Sequence, residues 1–150
     1  MVATTSEERS LDKILNETIE SIKTHRKEIA LFTIFRLVGN SNRVYREVDH
    51  FNEKVYTTVY IDDKIKEKTG EDIVHFLHRS YNIIIPTLYS FNEEERKMYY
   101  RELTNKVLEE LEEEGIVRRV GDGVIIADPS DIAGKYKLSP EPIEICLLYH

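Results

Sequence analysis

The chain has 150 residues, of which 41% are hydrophobic and 33% charged, with a formal net charge of −7. That hydrophobic share excludes a disordered polymer, and no apolar run reaches the roughly 18 residues of a membrane-spanning helix. A surface this acidic does not coat nucleic acid as a whole, so any such contact must come from a local basic site.

Residues 1–9 lack both the basic start and the apolar stretch of a secretion signal, and read as a flexible lead into a single cytoplasmic domain over 1–150. The first helix opens at Ser6 or Ser10 and carries Leu11, Ile14, Leu15, Thr18, Ile19 and Ile22 at the spacing of one face. A second helix is expected over 27–38, stopped by Gly39, Asn40, Ser41 and Asn42. Its run from 29 to 35 is apolar nearly all round, as in a central helix covered on several sides. The period then changes. Val55, Thr57, Val59 and Ile61 alternate with Tyr56, Thr58 and Tyr60, which predicts a strand over 54–61. Residues 43–48 are the candidate for its hairpin partner through Asp49, His50, Phe51 and Asn52.

A short helix over 62–69 and another over 71–82 follow, divided at Thr69 and Gly70, the second with Ile73, Phe76, Leu77 and Ser80 inward. Residues 83–88 read as an extended link or short strand around Pro86. Asn92 and Glu95 form a capping box for a helix over 93–114, with Tyr100, Leu103, Thr104, Val107, Leu108 and Leu111 as its stripe and Gly115 as its stop. Leu103, Val107 and Leu111 should face Ile29, Phe32 or Phe35. Gly121, Asp122 and Gly123 join two β-favouring runs, 116–120 and 124–127, into a hairpin. Pro129, Pro140 and Pro142 make the next stretch irregular, and 143–149 is apolar enough for a last strand. The expected class is α+β: a mainly helical single domain with a β-hairpin or small antiparallel sheet.

The helix over 93–114 running through Gly115 into the hairpin resembles the helix-plus-wing end of winged-helix proteins. The resemblance covers 92–127, and 61–82 as well if its two short helices form a helix-turn-helix. It implies a DNA-binding protein whose recognition helix enters the major groove while the wing, here Arg118 and Arg119, holds the backbone. The charges run against this, because 92–114 has nine Glu against Arg96, Lys97, Arg101 and Lys106.

The stronger basic signal lies elsewhere. Lys23, Arg26, Lys27, Arg36, Arg43 and Arg46 face one acid, Glu28, across 23–46. Asn40, Asn42 and Tyr45 lie in the same stretch, so phosphate contacts, base-edge contacts and stacking are all available to it. A solvated helix rim followed by a turn would give the same pattern.

Asp72, His75 and His78 are metal-capable groups three residues apart, but they drift around the helix and lack a fourth ligand; surface histidines are the expectation. Asp62 and Asp63 read as a helix start rather than a magnesium site. The single cysteine, Cys146, rules out an internal disulfide and a CxxC metal site. Phosphate-loop, nucleophile-elbow, dinucleotide and zinc-protease motifs are absent, so neither catalysis nor a cofactor is expected. The lack of Gln and Trp amid abundant Glu suits a thermophilic archaeon or its virus, though seven Asn weigh against it. The expected function is non-catalytic nucleic-acid binding, with a homodimer or a protein partner. The alternative is a small helical subunit of a ribonucleoprotein assembly, such as a CRISPR effector complex, holding a strand through 23–46.

Overall fold

The computed structural model describes residues 6–139 and Ile143. In chain order these form α1 (Ser6–Ile22), α2 (Arg26–Asn40), β1 (Arg43–Asp49), β2 (Lys54–Tyr60), α3 (Asp63–Tyr81), α4 (Glu93–Glu113), β3 (Val117–Val120), β4 (Val124–Ala127) and α5 (Pro129–Tyr136). The strands make one antiparallel sheet in the order β1-β2-β4-β3. This is the mainly helical α+β class predicted, and the run β2–α3–α4–β3–β4, with β4 between β2 and β3, is compatible with a winged-helix-like domain.

Several elements differ from their predicted bounds. Gly39 and Asn40 continue α2, which caps at Ser41, so only Ser41 and Asn42 remain of the expected four-residue break. The two short helices are one. α3 is capped by Asp62, whose carboxylate accepts from the Ile65 amide at 2.9 Å, and passes through Thr69 and Gly70 without a break. Glycine serves there as a packing notch: a Cβ at Gly70 would collide with the backbone carbonyl of Tyr100 on α4. The helices therefore approach closely, and the Thr104 hydroxyl donates to the Lys66 carbonyl at 2.7 Å across the contact.

Of the link or short strand expected over 83–88, residues 83–85 form a link without regular structure and 86–90 a 3₁₀ turn, with no strand. The expected irregular stretch after Pro129 begins instead with α5, because Pro129 occupies a first-turn position and the Asp128 carboxylate accepts from the Ser130 amide at 2.8 Å. Of the predicted last strand over 143–149 only Ile143 is described, buried and helical rather than extended; the rest lies outside the described residues, as do residues 1–5. The rest of the expected flexible lead, 6–9, belongs to α1.

The capping box of α4 is present, with Asn92 and Glu95 each accepting from the other's amide. The stripe of α4 is buried as expected except that Tyr99, not Tyr100, is fully enclosed. Val107 and Leu111 meet Ile29 and Ala30 of α2 in one crevice. Phe32 faces α3 instead, stacked on Phe76 with ring centroids 4.2 Å apart, and Ser80, expected inward, is exposed. Val59 and Ile125 from one face of the sheet complete the core against these helices.

Candidate nucleic-acid interface

Once folded, the basic stretch 23–46 is not one patch. Lys23, just past α1, pairs with Glu20 of its final turn at 2.9 Å, and Arg26 joins the start of α2 to Glu114 at 3.3 Å. Lys27 is exposed on α2. Arg36 is 3.0 Å from Asp72 on α3 and donates to Asn40 at 3.2 Å, while the Asn40 amide donates to Thr69 and to Asp72. Arg36 and Asn40 thus clamp α2 to α3. Asp72, offered as a metal ligand by its spacing, is taken up in this clamp, and His75 and His78 are exposed. Among the described residues no three His, Cys, Asp or Glu side chains gather as a metal site.

The β1 residues divide by strand alternation. Opposite residues in neighbouring strands share a face, so the register sorts the sheet into rows. One row crosses Arg43, Tyr60, Val124 and Val120; the next crosses Tyr45, Thr58, Ile126 and Arg118. Arg43, Tyr45 and Arg118 therefore share the face turned away from the core, while Arg46 and Arg119 belong to the other. Arg119 is held there, 3.2 Å from the Glu112 carboxylate on α4, an acid that its backbone amide and then its guanidinium keep below the usual carboxylate range. Asn42, just before β1, is exposed.

On the outward face, the Arg43 guanidinium carbon lies 4.4 Å from the centre of the Tyr60 ring. Tyr45 meets the same ring edge-on, with centroids 5.7 Å apart. Tyr45 is 51% exposed and Val120 52%; Arg43 and Arg118 are exposed, and Tyr56, Tyr60, Val124 and Ile126 are half-buried. The four strands span about 14 Å at about 4.8 Å per spacing, and Arg43 and Arg118, one row apart, stand about 16 Å from each other with aromatic and aliphatic side chains between. Glu47, beside Tyr56, and Asp49, beside Lys54 and taken up in the hairpin turn, are the acids in the β1 part of this face. Lys54 is drawn aside toward Asp128 at 3.5 Å and Asp131 at 3.8 Å, and those carboxylates raise its pKa. The acidic residues of α4 lie in the other layer, on Arg119's side.

Tyr56 and Tyr60 were not singled out as binding candidates from the sequence. Their alternation with Val55, Thr57 and Val59 was legible, but pairing with Arg43 and Tyr45 required the β1–β2 register. The chain matches no protein-family model, no curated protein and no solved structure.

Proposed function

We propose that the protein binds single-stranded nucleic acid, without catalysis, across the outward face of its sheet. The observation that carries this reading is the cluster of Arg43 over Tyr60 with Tyr45 at its edge, on the face where the Tyr45 row ends at Arg118. Tyrosine rings offer surfaces on which unpaired bases stack regardless of sequence, and the flanking arginines supply phosphate contacts. A face 14 Å wide by this spacing spans about two to three nucleotides. Such a module would suit a subunit that holds one strand within a larger ribonucleoprotein assembly.

The duplex-reading alternative is favoured by one observation, the winged-helix-compatible order of β2, α3, α4, β3 and β4. It would make α4 the recognition helix. Glu93, Glu94, Glu109, Glu112 and Glu113 are exposed on α4 and repel phosphate, and Arg119 is engaged by one of them.

Fluorescence anisotropy with short labelled single strands and duplexes at low salt tests the proposal. Single strands should bind more tightly than duplexes. Tyr45→Ala should weaken them roughly 5- to 150-fold, the equivalent of about 1–3 kcal/mol per stacked base. Arg119→Ala, on the opposite face, should leave affinity within about twofold. Duplex preference that collapses with Arg119→Ala would favour the winged-helix reading, and no binding to any strand would end both.

A further inference from the structure

Among the described residues the largest unexplained apolar exposure is Phe51, 101% exposed at the tip of the β1–β2 hairpin. β4 pairs with β2 only from Thr57 to Tyr60, so the outer half of this hairpin projects beyond the rest of the sheet. The tip is an organised turn. The Asp49 carboxylate accepts from the amides of Phe51 at 3.0 Å and Asn52 at 3.3 Å, and from the Asn52 side chain at 2.7 Å. Phe51 is thus presented on a preformed support, which lowers the ordering cost of inserting it into a partner. Asp49 and Glu53 flank it with negative charge, and Val48 near the end of β1 is itself 43% exposed.

A matching depression lies on the helical layer of the same chain. Residues from α3, α4 and the connection between them enclose a groove of about 510 Å³. Its apolar lining includes Val74, Ile83, Ile85 and Leu88, with Ile84 at 52% and Tyr89 at 79% exposure on the lip. The acids on its rim have basic neighbours: Arg101 lies 2.6 Å from Glu67, Lys97 3.5 Å from Glu93, and Lys68 4.0 Å from Glu71 while nearer to Asp72 at 3.3 Å. Lys64 and Arg96 join no ion pair among the described residues, so the rim has spare positive charge.

We propose that this groove receives the Phe51 tip of a second copy of the chain, joining the copies head to tail. Knob and socket are both present on one polypeptide, yet Phe51 is fully solvated and so does not occupy the groove of its own chain. The charges are complementary, with Asp49 and Glu53 beside the knob and Lys64 and Arg96 beside the socket. An apolar knob that fits a pocket elsewhere on the same molecule makes a heterologous contact, which propagates into chains unless the rotation closes a ring. A phenylalanine buries roughly 150–250 Å², well short of the roughly 1,000 Å² of a stable interface, so the association is weak and reversible. It leaves the outward face of the sheet open.

Sedimentation velocity over a protein concentration series, without nucleic acid, tests this independently of the strand-binding reading. Wild type should show an average mass that climbs with concentration. Phe51→Asp should be monomeric, and so should the double variant Ile84→Asp with Tyr89→Asp; all three positions are exposed, and circular dichroism checks that folding is retained. Mixing the two variants restores one intact knob and one intact socket, and should yield a complex that stops at a dimer. A monomeric wild type at every concentration, self-association surviving in either variant, or no complex on mixing would each overturn the proposal.

Discussion

Tyr99 shows how one buried polar atom is accommodated. Its hydroxyl lies 2.7 Å from the Thr18 Oγ1, which itself donates to the Ile14 carbonyl at 2.8 Å, so Tyr99 donates to Thr18 and α1 is tied to α4. Burial pushes the phenol far above its ordinary pKa and keeps it neutral and donating. Tyr99→Phe keeps the ring and loses the bond, and should cost about 1 kcal/mol in a denaturant titration. Leu111→Ala removes a side chain that is 3% exposed and should cost about 2–5 kcal/mol, since the crevice shared with Ile29 and Val107 cannot fully collapse. An unchanged denaturation midpoint for Leu111→Ala would detach α4 from the core.

The contacts between helices depend on two features that local pattern misreads. Gly70 resembles a helix stop, yet it is the notch that admits the Tyr100 backbone. Gly70→Ala, which helix propensity alone would favour by about 1 kcal/mol, should instead destabilise by about 3 kcal/mol or more, because the obstacle is main chain and cannot rotate away. A neutral or higher melting temperature would contradict this packing. The Arg36–Asp72–Asn40 clamp has a pH signature. Burial raises the Asp72 pKa, but hydrogen bonds from Asn40 and Arg36 and the charges of Arg36 and Lys68 outweigh it and leave a net lowering from 3.8. A carboxyl lowered in the folded state stabilises above its unfolded pKa and loses that contribution as pH falls through the folded value. Asp72→Asn should therefore be less stable than wild type at neutral pH, with the gap closing below about pH 4. A gap independent of pH would assign the loss to packing.

For the molecule as a whole, charge separation governs any encounter with nucleic acid. The net charge of −7 repels phosphate at long range, while Arg43 and Arg118 present positive charge on the sheet's outward face. Two phosphate contacts on a single strand give log affinity against log salt a slope of about −1.4. Removing both arginines to alanine should flatten that slope by about the same amount. A salt dependence unchanged in the double variant would place the phosphates elsewhere.

The class and most of the elements, though not α5 or the unbroken α3, were legible along the chain because they depend on short-range patterns. The Asn92–Glu95 box, the Gly121–Gly123 turn and the alternation from Val55 to Ile61 each express a local rule of capping, turn geometry or strand period. The α2 and α3 bounds were less legible, since Gly39, Asn40 and Gly70 favour a break and are kept helical by contacts made elsewhere. The candidate site was hardest to read. Six basic residues close in sequence dispersed, because Lys23, Arg26 and Arg36 sit beside acids on their own or neighbouring helices. Arg43 and Arg118, 75 positions apart, came onto one face through the registers of β1 with β2, β2 with β4 and β4 with β3. Register is a long-range property: a slip of one residue turns every side chain to the opposite face, so which arginines meet solvent is decided only when the strands pair.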